Sequence, residues 1–244
     1  MYYYWITFIL LILCVGLAGS VSAKVRSTFH AQQKMGTKSR LTGYDTAVRL
    51  LRANKIHDIS VGRVKGELTD HYHPTKKQVN LSETVYGNDS IAAVAVAAHE
   101  IGHVLQKKQG FLPYKIRTLL VPVTNIGSRL ALPLVLIGLI LEVAVGVNQG
   151  TDIGYIFALV GVGLYGLSTL FALATLPVEY DASRRAKKML IQQGVLTEEE
   201  LPYAEKMLSA AAKTYLASLL VSLVAFLRFA VWVLIMFGGG RRRD

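Results

Sequence analysis

The chain has 244 residues, of which 52% are hydrophobic, and a formal net charge of +11 at neutral pH; its mean hydropathy is +0.38. That length excludes two large soluble domains but accommodates one compact domain with several membrane spans. The basic residues fall mainly between apolar blocks, as the positive-inside bias produces, and no nucleic-acid motif is present, so nucleic acid is excluded as a partner.

The first apolar block, residues 5–23, reads as an uncleaved membrane anchor. No positive charge precedes it, while Lys24, Arg26, Lys34, Lys38 and Arg40 follow it. A secretory signal carries its charge in front; the reversed order predicts an N-terminus outside and the following chain in the cytoplasm. The single cysteine, Cys14, lies in this block, which excludes an intramolecular disulfide and a cysteine-based metal site.

Residues 24–118 read as an α+β unit. Thr42 caps a helix to Ala53, with Ala47, Leu50 and Leu51 on its inner face. Runs 66–72 and 78–82 predict a small β-hairpin, and the second run is an expected edge strand for pairing with an extended peptide. Asp89 or Ser90 caps a helix over 91–108, apolar and alanine-rich but too short to cross a bilayer, hence the buried central helix. Two apolar blocks, 131–147 and 153–175, joined by 148–152 without Lys or Arg, predict a membrane hairpin within 119–175. Segment 176–215 is charged and helical. The last block, 216–244, is a hydrophobic helix with a basic tail; Arg228 and Arg241–Arg243 leave open whether it spans or lies in the interface.

The chemistry lies in AAHEIGHVLQ, a His-Glu-x-x-His string on the predicted central helix. Residues four apart share a helix face, so His99 and His103 can present ring nitrogens to one zinc ion. Glu100 stands beside them as a general base for a zinc-activated water and a proton donor to the leaving amine. Seven apolar residues, 92–98, precede the motif; a carboxylate buried there without a partner would be costly, which argues against a chance string. Gly102 between the histidines gives room for another element to approach.

A catalytic zinc has three protein ligands and one open position. No metzincin extension follows His103, so the third ligand is a carboxylate or another histidine. LPVEYDASRRAKKML, beyond the hairpin, offers Glu179 and Asp181. Pro177 predicts a helix start there, and a first-turn acid also suits the helix dipole without any metal. His71, Tyr72, His73, Tyr180 and Arg184 are candidate donors to a transition-state oxyanion.

AAHEIGHVLQ, LSETVYGNDSIAAVAV before it and TLPVEYDASRRAKKML after it resemble the YugP-like family of bacterial membrane zinc metallopeptidases, over nearly the whole chain. A more distant likeness is to HtpX-like membrane proteases, whose third ligand is the Glu of a Glu-x-x-x-Asp motif after a membrane hairpin. The resemblance implies a zincin-like α+β catalytic domain with three to four transmembrane helices, and one zinc ion on His99, His103 and Glu179 with Glu100 as base. It implies hydrolysis of membrane-proximal or unfolded polypeptide at the cytoplasmic face of a bacterial membrane. Ser183 stands where that motif has Asp, leaving its supporting role to Ser183, Asp181 or neither. The rival reading is a non-catalytic zinc-binding membrane scaffold; the intact Glu100 argues against it, since a structural zinc needs no base. A site-2-type protease lacks its partner motif here, and a transporter its inverted repeat.

Overall fold

The computed structural model describes residues 2–145 and 153–238. The chain is mainly helical with one small sheet: α1 Tyr2–Gln33, α2 Gly43–Ala53, β1 Ser60–Val64, β2 His71–His73, β3 Gln78–Ser82, α3 Glu83–Tyr86, α4 Ile91–Lys108, α5 Leu112–Val145, α6 Ile153–Gln192 and α7 Leu201–Gly238. It divides into two compact units. Among the described residues the first holds 2–18, 116–145, 153–175 and 216–238; the second holds 19–115 and 176–215.

In the first unit α5 and α6 pack through small residues. A β-carbon on Gly138 would meet Gly154 O at 2.5 Å, and one on Gly161 would meet Ala131 O at 2.6 Å. Close backbone approach of this kind suits helices in lipid, where packing replaces the hydrophobic effect. By length and composition α1, α6 and α7 are apolar enough to cross a membrane; a fourth span is formed if the bent stretch within α5 counts as one. The connecting loop expected at 148–152 and the arginines 241–243 lie outside the described residues.

The second unit is built around α4. The Ser90 side chain accepts from Ala93 N, capping the helix, and Ile91 N donates to Met35 O. Two of the N–H groups that a helix start leaves without intrahelical partners are thereby satisfied. Nearly every residue from Ile91 to Gln106 is buried, and the alanines let neighbours approach from all sides. Leu50 of α2, Val79 and Leu81 of β3, Leu190 of α6 and Met207 of α7 pack in the same core. Thr42 caps α2 with a reciprocal Asp45 bond, a capping box.

Three expectations are corrected. The sheet has three strands in the order β1-β3-β2, with β1 parallel and β2 antiparallel to β3. Strand 78–82 is therefore central, its backbone groups are taken on both sides, and it cannot pair with a substrate. Of run 66–72 only its end is strand, because Gly66 (φ +100°) and Leu68 (φ +54°) adopt left-handed backbone that a strand excludes. Finally, no helix begins at Pro177, which lies inside continuous α6. Apolar helices in lipid keep their backbone hydrogen bonds internal, and one proline is tolerated where neighbours satisfy what it frees.

Candidate metal centre

His99, Glu100 and His103 come from α4, and Glu179 comes from α6. One donor atom each of His99, His103 and Glu179 lies within 4.8 Å of the others. Glu179 Oε2 is 3.2 Å from His99 Nε2 and 3.6 Å from His103 Nε2. Ligands at zinc bond lengths of about 2.0–2.1 Å on a tetrahedron stand roughly 3.3–3.4 Å apart, so these separations fit a shared ion. The Glu179 side chain is 1% exposed, against 15% for His99 and 10% for His103. Two imidazoles and a carboxylate form a donor set that suits zinc. The cluster thus unites the three residues proposed from sequence, while Asp181, the rival acid, stands elsewhere.

Gly102 makes this meeting possible. A β-carbon there would lie 2.6 Å from Ala182 O and 3.0 Å from its Cα, so any larger residue would hold α6 away. Glu179, one turn before that contact, and Ser183, the residue directly after it, both reach His99.

Behind the donors lies a hydrogen-bonded support, part of which sequence reasoning missed. Gln106, fully buried, donates through Nε2 to Val178 O (2.7 Å) and Asp181 Oδ2 (3.0 Å). With both amide hydrogens so engaged, Oε1 faces His103 Nδ1 at 3.0 Å and accepts its proton, leaving Nε2 turned toward Glu179. Arg184 and Arg185 hold Asp181 in turn. Ser183 Oγ lies 3.2 Å from His99 Nδ1 and holds the other imidazole from behind, through a hydroxyl able to donate or accept. Ser183 and Asp181 therefore each stand behind a different histidine. In sequence Gln106 is one polar residue at the end of an apolar run; its spacing of three from His103 was the available signal.

Charge follows from this geometry. Burial pushes the His103 imidazolium down, but the hydrogen bond and charge of Glu179, with smaller help from Glu100 and Gln106, outweigh it and raise its pKa above 6.5. Asp70 is raised by burial, against the hydrogen bonds it accepts from Ser82 N (2.7 Å) and Ser82 Oγ (2.9 Å); the charge of Glu100 adds to the rise.

A cavity of about 240 Å³ opens on His99, Glu100 and Glu179, with Asp70, Ser183, Thr214 and Tyr215 also in its wall. Glu100 is 7% exposed, and what it exposes faces this cavity. The candidate oxyanion donors do not line this cavity. His71 bonds Thr69 O and Asn80, and His73 accepts from Lys76 N. Tyr180 and Arg184 line the adjoining groove. Thr214 and Tyr215 of α7 line the cavity, with the Thr214 hydroxyl donating to Ala211 O (2.6 Å); they lie beyond the motif on another helix, where no local signal marks them.

Residues 7–234 match the family described as "Putative neutral zinc metallopeptidase". The chain belongs to this family. It is 40% identical to the "Putative membrane protease YugP" of Bacillus subtilis (strain 168) over 224 residues, covering 91% of this chain and 94% of that protein. No solved structure matches the chain.

Proposed function

We propose that this protein is a membrane-bound zinc endopeptidase that holds one ion with His99, His103 and Glu179 and uses Glu100 as its general base. The observation that carries the reading is the convergence of these three donors beside a cavity that Glu100 also lines. A family of zinc metallopeptidases and a relative named as a membrane protease support it.

Zinc at this site would acidify a water and polarise the scissile carbonyl. Glu100 takes the proton of the attacking water and returns it to the departing amine. Gln106 and Ser183 keep the two imidazoles turned so that each Nε2 faces inward, and Gly102 keeps α6 close enough for Glu179 to complete the set. The substrate is polypeptide, membrane-proximal or unfolded, and the protein resides in the lipid bilayer of a bacterial cell membrane. The run of Lys and Arg after the first apolar block favours a cytoplasmic face for the second unit.

The test compares zinc content and cleavage of an unfolded model protein by the detergent-solubilised full chain. Glu100→Gln is expected to keep zinc and lose cleavage; His99→Ala is expected to lose both. Zinc retained by His99→Ala removes the ligand assignment, and a zinc-loaded wild type that cleaves nothing removes the enzyme.

A further inference from the structure

The lining of the cavity beside Glu100 includes, besides the polar groups already named, the apolar side chains of Leu68, Val96, Met207, Leu208, Ala211 and Ala212. Val96 stands three residues before His99 and four before Glu100, so apolar lining begins one helical turn from the proposed base. Positions 207, 208, 211 and 212 recur at helical spacing and present one face of α7. Alanine at 211 and 212, between Leu208 and Tyr215, leaves the space that larger side chains would fill.

Volume limits what enters. A cavity of 150 Å³ lined by aliphatic side chains admits benzene; this one, at about 240 Å³, admits an aromatic or long aliphatic side chain together with part of a backbone. Leu68 supplies an independent observation. Its φ is +54°, a conformation that a bulky side chain rarely adopts and glycine adopts freely. Its loop is pinned by Thr69 Oγ1 donating to Lys65 O (3.0 Å) and by the Asp70–Ser82 bonds. A strained leucine is thus held in the wall of the cavity that contains the reactive acid, where strain is typically stored for a purpose.

We propose that this cavity receives the side chain next to the scissile bond and selects large apolar residues, Leu, Phe or Met, with Ala211 setting its depth and Leu68 closing one side. The proposal rests on the peptidase reading and names its substrate class.

The experiment digests a peptide library with the zinc-loaded full chain in detergent and reads cleavage sites by mass spectrometry. Wild type enriches Leu, Phe and Met at one position flanking the cut. Ala211→Leu retains zinc but moves the ratio of kcat/KM for Phe over Ala at that position at least tenfold toward Ala, the scale of steric discrimination in an apolar pocket. Leu68→Gly suits the local backbone and guards against a misfolded first variant; it retains zinc and reduces the apolar enrichment. Cleavage without apolar enrichment, or ratios unchanged in both zinc-retaining variants, overturns the pocket while leaving the peptidase intact. A zinc-loaded wild type that cuts no peptide overturns the peptidase reading and the pocket with it.

Discussion

The carbonyl oxygen of Ala182 occupies the place where Gly102 would carry a side chain, 2.6 Å from the position of an added β-carbon. The contact is backbone on both sides, so no flexible side chain can yield. Gly102→Ala is expected to separate α4 from α6, to lower stability by roughly 1–3 kcal/mol as overpacked cores do, and to weaken zinc binding at least tenfold. Thermal melts with and without zinc, together with zinc titration, check both effects.

Gln106→Leu preserves approximate volume but removes the acceptor for His103 Nδ1 and both donations to α6. Loss of such an outer partner typically reduces metal affinity about 10–100-fold, and the orphaned Val178 carbonyl and Asp181 carboxylate add a stability loss of about 1–3 kcal/mol. Ser183→Ala removes one hydroxyl from His99, at 3.2 Å, and is expected to weaken zinc less than Gln106→Leu does. Competition titrations with a chelator rank the two variants; equal affinity in both would contradict the ordering.

The raised pKa of His103 predicts opposite pH trends for zinc-free and zinc-loaded protein. In the zinc-stripped protein the imidazolium gains stability from Glu179. Because its folded pKa exceeds the ordinary 6.5, that contribution is complete below 6.5 and disappears as pH rises through the folded value. Zinc must displace the same proton, so its apparent affinity falls as pH drops below the folded value. Melting curves across pH 5–9 (roughly the titration range of histidine) and proton release measured by calorimetry in two buffers check the prediction. His103→Ala should abolish the zinc-free trend.

Asp70 ties the loop before β2 to the end of β3 through both hydrogen bonds of Ser82. Asp70→Ala leaves a buried N–H and hydroxyl in need of acceptors and is expected to cost about 1–3 kcal/mol, while Asp70→Asn keeps one acceptor and costs less. Denaturant unfolding of the two variants gives the comparison.

Local signals carried the parts of this protein that depend on few residues. Asp89 or Ser90 ahead of an apolar run marks α4, where Ser90 is the cap, and Thr42 ahead of Ala47, Leu50 and Leu51 marks α2, because caps and periodicity act within one or two turns. The two histidines share a face by helix geometry alone. Glu179 was different: spacing left it level with a first-turn dipole acid, and the family resemblance singled it out. Strand β1 escaped notice because Gly62 and Arg63 break its alternation and its partner β3 is parallel and distant in sequence. The Gln106 bridge was invisible for a similar reason, since it joins α4 to residues more than 70 positions away. Pro177 misleads because proline favours the first turn of a helix, whereas α6 is continuous through it.

Glu179 lies 80 residues after His99, beyond the long apolar helix α5 and well inside α6. A ribosome therefore releases the His-Glu-x-x-His helix well before it makes position 179. During that interval the nascent chain carries only two members of the three-residue cluster. The order of synthesis thus delays assembly of the cluster: its third member joins only after the apolar stretch of α5 has been made.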